Sequence, residues 1–456
     1  MIHLGKGEIE DFLAGRLNGA GRSRVVLHLL GGCSRCQREM KALAAPIFGE
    51  EPWTAAPPVV EERYDEAFAR AAGTARSFAG RWRKEREKLE RALSLLDQFP
   101  SGLEDESFPA RQAQSLHGWP LCEALLRKSS EVRFSDPKRM LDLAESAASV
   151  AKHIRSEKYP WPGFLSDVRA RAFAELGNAY RVNDRLSEAD AAFGKAREHL
   201  ESGTADPLLH ARVLDLEASL RRAQRRLEDA AVLLDQVHNL YLEAGDPHLA
   251  GRALISKGIC THYQGHPREA VKLLEEGLDL LAPGRDPQLE SSTDLSIIYA
   301  LVDCGGYHQA SRLILQSGLR KAFAAEPLIL LKLRGVEGKI HAGLGRLARA
   351  ERVFGEVRQE FLRHGQVYDA ALTGLELATV WLRQGRAAQV LELAEEMHAV
   401  FEDLGVQREA ARALDFVREA CHCQIVTVSM IERVRTFLER LPWHPGLRFE
   451  PALFAP

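Results

Sequence analysis

Six short segments of this chain recur at a fixed interval, and that interval limits the fold more than any other feature. They are Arg185-Leu-Ser-Glu-Ala189, Arg226-Leu-Glu-Asp-Ala230, His266-Pro-Arg-Glu-Ala270, Tyr307-His-Gln-Ala310, Arg346-Leu-Ala-Arg-Ala350 and Arg386-Ala-Ala-Gln-Val390. The closing residue of each falls at 189, 230, 270, 310, 350 and 390, in steps of 41, 40, 40, 40 and 40. Five residues before each of these markers stand Asp184, Arg225, Gly265, Gly305, Gly345 and Gly385. Four glycines in one phase predict a helix-terminating turn, where a residue without Cβ takes the left-handed conformation.

On either side of the turn the apolar spacing is helical. Ala172, Phe173, Leu176 and Tyr180 form one stripe, and Ala189, Phe193, Ala196 and Leu200 form another. Each unit is therefore predicted to be a helical hairpin. One hairpin cannot bury both stripes, so neighbours must stack into a superhelical solenoid. The first copy, with Phe173, Leu176, Gly177, Tyr180, Ala189, Phe193 and Ala196, resembles the tetratricopeptide family. Gly258 and Gly338 keep the small residue of the first helix, Ala218 and Ala378 are acceptable substitutes, and Ile298 departs from it. The fourth copy is thus expected to pack with a different helix spacing. The resemblance implies an all-α fold, a right-handed α-solenoid of helical hairpins, with a period longer than is usual for that family.

In that family the first helix of each repeat lines an inner groove. Carried onto this chain, the groove positions hold Arg171, Asn178 and Arg181, then Arg212, Ser219 and Arg222, then Arg252 and His262. Five arginines on one surface repel one another, so the early repeats are expected to bind an acidic or carboxylate-bearing peptide. The alternative is that Asp215 and nearby acids neutralise them internally.

Residues 1–48 do not share the repeat. They hold His3, His28, Cys33 and Cys36 in a H-x24-H-x4-C-x2-C arrangement. Two thiolates two residues apart reach one ion from a tight turn, and two histidines complete the four nitrogen and sulfur ligands that zinc prefers. The segments His3-Leu4, Phe12-Leu13-Ala-Gly15-Arg-Leu17, Val25-Val26-Leu-His28-Leu29 and Cys33-Ser-Arg-Cys36 make this stretch similar to the zinc-binding anti-sigma factor family, the small zinc-finger module of bacterial regulators. That family usually has three residues between its second His and first Cys; here there are four, including Gly31-Gly32. The resemblance implies ligand roles for His28, Cys33, Cys36 and His3, with His3 the weakest member. It also implies sigma-factor-like or signalling partners. Two other readings stay open: a dithiol redox pair without metal, and a degenerate site whose fold survives on packing. The small core of such a module favours metal.

The rest of the chain narrows the function classes. Net charge is −3, with no basic surplus to neutralise a phosphate backbone, which argues against nucleic acid. No apolar run is long enough to cross a membrane, and seven cysteines in so long a chain suit a reducing compartment, so a cytoplasmic location is expected. Leu30-Gly31-Gly32-Cys33 has the shape of a lipoprotein cleavage box, but the apolar stretch before it is too short for a signal. Cys421-His422-Cys423 lies on a predicted helix, which turns neighbouring side chains to different faces, so it is not expected to hold metal. Phosphate-loop, dinucleotide, nucleophile-elbow and H-E-x-x-H signatures are missing.

The expected organisation is a zinc-binding module at 1–48, then a linker with a charged connecting helix at 49–105. The solenoid follows at 106–420, and a capping helix with an extended tail at 421–456. The charged helix, from about 61 to 98, is expected to be solvated. Together these features predict a non-enzymatic cytoplasmic regulator or adaptor binding protein or peptide partners. The alternatives are a thiol-based redox sensor using Cys33 and Cys36, and a peptide-binding scaffold with a vestigial zinc module.

Overall fold

The computed structural model describes residues 3–14, 16–17, 19–30, 33, 35–36, 38–40, 42–43, 80, 82–98, 116–159, 163–403, 408–441 and 447–449. Among the described residues the regular structure is helical, with no strand. The chain divides into two compact units, residues 1–87 and 88–456.

The first unit contains α1 (Lys6–Leu13) and α2 (Gly19–Leu30). Among its described residues Leu4, Ile9 and Val25 are buried with the thiols of Cys33 and Cys36, and Phe12, Leu29 and Met40 pack around them.

The second unit is a run of antiparallel hairpins. In chain order its helices are α3 (Trp119–Val132), α4 (Pro137–Lys152), α5 (Phe164–Val182), α6 (Leu186–Glu201), α7 (Pro207–Ala223), α8 (Leu227–Glu243), α9 (Pro247–Tyr263), α10 (Pro267–Leu280) and α11 (Pro287–Asp303). They continue as α12 (Tyr307–Gln316), α13 (Leu319–Ala322), α14 (Pro327–Gly343), α15 (Leu347–Arg363), α16 (Val367–Arg383), α17 (Ala387–Asp403), α18 (Arg408–His422) and α19 (Val428–Arg440). This is the predicted α-solenoid of stacked helical hairpins.

Local chemistry explains the punctuation. The markers Ala189, Ala230, Ala270, Ala310, Ala350 and Val390 are all buried, because each sits where the second helix of a hairpin crosses the first. Just before each marker helix, the backbone turns through a left-handed residue. Gly265, Gly305, Gly345 and Gly385 have φ of 87°, 81°, 72° and 76°, and Asp184 and Arg225 adopt 58° and 61° in the same phase. The amides of Arg185, Arg226, His266, Gly306, Arg346 and Arg386 then donate to the carbonyls five residues back, at 2.7 to 3.1 Å, closing each first helix. The starts of α4, α7, α9 and α11 are fixed by Asp-Pro pairs. Asp136, Asp206 and Asp246 each accept a backbone amide of the first turn at 3.0 Å, and Asp286 accepts one at 3.2 Å. The following proline sits at the first helical position in each case.

The copy with Ile298 departs from the others in the length of its second helix. Its second helix, α12, stops at Gln316, Gly318 turns left-handed at φ 64°, and the short α13 follows. In the first copy the small residue is Gly177, where an added Cβ would lie 2.7 Å from the Phe193 ring. Ile298 fills that space with its own side chain and shares a core with Ile314.

Both ends of the array are covered. The charged helix is described over 82–98, and residues 61–79 lie outside the described residues. Arg86, Glu90 and Arg91 face solvent as expected. From position 88 onward, however, the helix also has an apolar stripe, Leu89, Ala92, Leu95 and Leu96, buried in one core with Leu121, Leu125, Leu143 and Val150. It is a cover for the first hairpin as well as a solvated surface. At the other end α18 and α19 bury Phe416, Ile431, Val434 and Phe437. Phe449 packs onto Phe416 and Phe437 with ring centroids 5.6 and 5.0 Å apart. Most of the tail expected to be extended, residues 442–446 and 450–456, lies outside the described residues.

Candidate functional site

Two sites were expected, one in each unit. In the first, His3 precedes α1, His28 occupies the last turn of α2, and Cys33 and Cys36 follow it. One ligand atom from each of the four lies within 4.8 Å of all the others. His3 Nδ1 is 3.3 Å from Cys33 Sγ and 3.7 Å from Cys36 Sγ. The two imidazoles meet edge to face, with centroids 6.4 Å apart. In a tetrahedron around zinc the nitrogen and sulfur ligands are separated by about 3.3 to 3.8 Å, so the His3 contacts already have that spacing. His28 Nε2 is buried and has no hydrogen-bond partner, which a coordinating ion would supply. His3, expected to be the weakest ligand, is the one in contact with both thiols.

The thiols are not equivalent. The backbone amide of Cys36, helped by that of Arg35, outweighs burial and holds the Cys33 thiol below its ordinary value. Burial pushes the Cys36 thiol up, against a backbone amide bond at Leu4. The turn expected at Gly31-Gly32 lies outside the described residues. Among the described residues no other group of three or more His, Cys, Asp or Glu side chains converges in this way, Cys421-His422-Cys423 included. The cluster could hold a metal ion.

In the second unit the arginines stand on successive first helices: Arg171 and Arg181 on α5, Arg212 and Arg222 on α7, Arg252 on α9. Two are neutralised by the preceding first helix. Arg171 lies 2.8 Å from Glu123 of α3, and Arg212 lies 3.0 Å from Glu175 of α5. Arg181 donates Nε and Nη2 to Asn178 Oδ1 at 3.1 and 2.8 Å, an amide rather than a charge. The side chains of Arg222 and Arg252 make no hydrogen bond or ion pair among the described residues; both act on Asp215. Burial pushes the Asp215 carboxyl up in spite of Arg212, Arg252 and Arg222. Burial and then Arg222 pull Arg181 below its ordinary value. Arg181, Ser219, Arg222 and Arg225 border a cavity of about 260 Å³, together with Ile259 and Tyr263.

The later repeats are different. His262 Nε2 is 2.7 Å from Asp303, and Lys339 is 3.0 Å from Glu376, which Arg435 of α19 also grips. Burial acts to raise the Asp303 and Glu376 carboxyls, but the His262 hydrogen bond and Lys339 hold Asp303, and Lys339 and Arg435 hold Glu376, below the usual carboxylate range. His262, expected with the early groove, thus belongs to this internally paired half. Sequence reasoning missed Glu123, Glu175, Asp303 and Glu376. Their signal is an acid on one first helix and a base on the neighbouring first helix, about one repeat period away.

The chain matches no protein-family model and no curated protein. Among solved structures it is similar to the apo form of RapI, at 10% identity over 82% of this chain and 99% of that one, with a TM-score of 0.52. It is also similar to aspartyl phosphate phosphatase F from Bacillus subtilis, at 12% identity, 88% and 95% coverage and a TM-score of 0.46. A tetratricopeptide repeat protein from Parabacteroides merdae aligns at 15% identity, with 68% and 98% coverage and a TM-score of 0.39. The likeness to RapI shows the fold, a tetratricopeptide-like α-solenoid, and only the fold.

Proposed function

We propose that this chain is a non-enzymatic regulator or adaptor that binds a protein or peptide partner in the groove of its early repeats. The observation that supports it most is the contrast in charge pairing along the solenoid. Further along, His262 meets Asp303, and Lys339 and Arg435 meet Glu376, while Arg181, Arg222 and Arg252 have no ion pair among the described residues. An acidic segment would supply what they lack. No helix among the described residues is long and apolar enough to cross a membrane. A cytoplasmic place and a sigma-factor-like or signalling partner rest on composition and on the resemblance of the N-terminal segment.

The reading extends to the first unit. His3, His28, Cys33 and Cys36 would hold one zinc ion, closed by four protein ligands and hence structural. When bound, the ion would contribute folding free energy on the order of 10 kcal/mol to the segment that carries it. Metal analysis of the full-length protein tests this: one zinc per chain is expected, lost in Cys36→Ser. A protein that stays folded in its first unit with no metal, or with a Cys33–Cys36 disulfide under reducing conditions, overturns it. For the groove, Arg181→Ala with Arg222→Ala should abolish capture of native partners; unchanged capture overturns that part.

A further inference from the structure

The small cavity bordered by α5, α7 and α9 carries a more specific ligand chemistry than an acidic groove. We propose that it receives the phosphoryl group of a phosphorylated peptide side chain. The proposal rests on the groove being a peptide site and names what part of the peptide it reads.

Three observations support it. The first is the donor set. Arg181 uses Nε and Nη2 on Asn178 Oδ1, which fixes the plane of its guanidinium and leaves Nη1 for a ligand. The Arg222 side chain has no hydrogen bond or ion pair among the described residues, and Ser219, a hydroxyl-bearing residue, borders the same cavity. Two guanidiniums and a hydroxyl match a tetrahedral group with three acceptor oxygens. A carboxylate offers two oxygens and one charge, enough for one fork.

The second is charge. Arg181 and Arg222 lie close enough to act on each other, and burial weakens their screening. Asp184 acts on Arg181, and Asp215, which is shared with Arg212 and Arg252, interacts with Arg222. A phosphoryl group with close to two negative charges at neutral pH compensates both guanidiniums at once. Arg225 borders the same cavity, its guanidinium 5.7 Å from the centroid of the Tyr263 ring, which adds a third cation to the lining.

The third is size. At about 260 Å³ the cavity is smaller than pockets that enclose whole cofactors, which start near roughly 300 Å³, but ample for one side-chain group. Apart from Arg225 its lining comes from the first helices α5, α7 and α9, which would form the groove, so the remainder of a peptide would have somewhere to run.

The test uses the full-length protein and degenerate peptides built around a central phosphoserine, serine or glutamate, with inorganic phosphate as competitor. Phosphoserine peptides should be retained at least tenfold better than both twins, and the preference should vanish in Arg181→Gln with Arg222→Gln. Should that double variant fail to fold, Ser219→Asp, which places a carboxylate against the ligand, must remove the same preference. Equal retention of glutamate and phosphoserine peptides, lost in the variants, sinks the phosphoryl assignment and leaves the groove reading standing. A phosphoserine preference that survives both variants removes it from this cavity. Binding of inorganic phosphate with no peptide retained overturns the peptide source, and no retention of any class overturns the groove reading as well.

Discussion

Two carboxylates of the solenoid, Glu376 and Asp215, show how acidic side chains take opposite roles. Glu376 is largely buried between Lys339 and Arg435, and its carboxyl is held below the usual range. A folded value below the unfolded one means stability that is fully present above the unfolded carboxylate range and lost as pH falls through the folded value. Glu376→Gln leaves two cations facing a neutral amide and should cost about 3 kcal/mol in denaturant melts at neutral pH. That deficit should shrink toward pH 3. Asp215 is the reverse case: burial raises it, so its ionisation works against folding. Its contribution is present below the unfolded range and lost as pH rises through the folded value. Asp215→Asn is therefore expected to raise the melting temperature at pH 7, with the gain disappearing below about pH 4. A lower melting temperature for that variant at pH 7 would mean that the arginines, not burial, dominate the site.

At the scale of the element, what can be read from sequence is what each copy repeats. The glycine phase and the buried markers recur every forty residues because every hairpin closes the same way. The Asp-Pro helix starts at 206, 246 and 286 are a second expression of that period. The four metal-cluster residues were legible for another reason: few residue types serve as ligands, and the segment offers just those. The ionic pairs were not legible, because Glu123 and Arg171 are 48 residues apart and meet only once two first helices lie side by side. Nor does a glycine pattern announce that Asp184 and Arg225 take the same left-handed turn. Two substitutions separate the uses of glycine. Gly265 has φ 87° with nothing within 4 Å, so Gly265→Ala meets only backbone strain and should cost about 1 kcal/mol. Gly338 is an ordinary helical residue, but a Cβ there would lie 2.6 Å from the Phe354 ring. Gly338→Ala should cost about 1 to 3 kcal/mol by forcing the two helices apart. Chemical denaturation of both variants checks the order.

At the scale of the molecule, the solenoid depends on its ends. A repeat array is held by nearest-neighbour interfaces, so a terminal hairpin has an apolar face with no next copy to cover it. Leu89, Ala92, Leu95 and Leu96 cover one such face, and Phe449 with α19 covers the other. Leu95→Asp puts a charge into the first cover and is expected to loosen α3 and α4 while α14 to α17 stay protected. Hydrogen exchange resolved along the chain measures this; uniform loss of protection would show a single cooperative block instead.

Those two covers also decide how long the solenoid is. Nothing inside a hairpin says how many should follow, since each presents the same kind of face to the next. The count is fixed only where the stacking rule is interrupted, by a helix with one charged side and by a phenylalanine in the tail. Gain or loss of one whole copy between those stops would change the reach of the groove, like a ruler with one division more or fewer, without asking any surviving interface to become a new kind of interface.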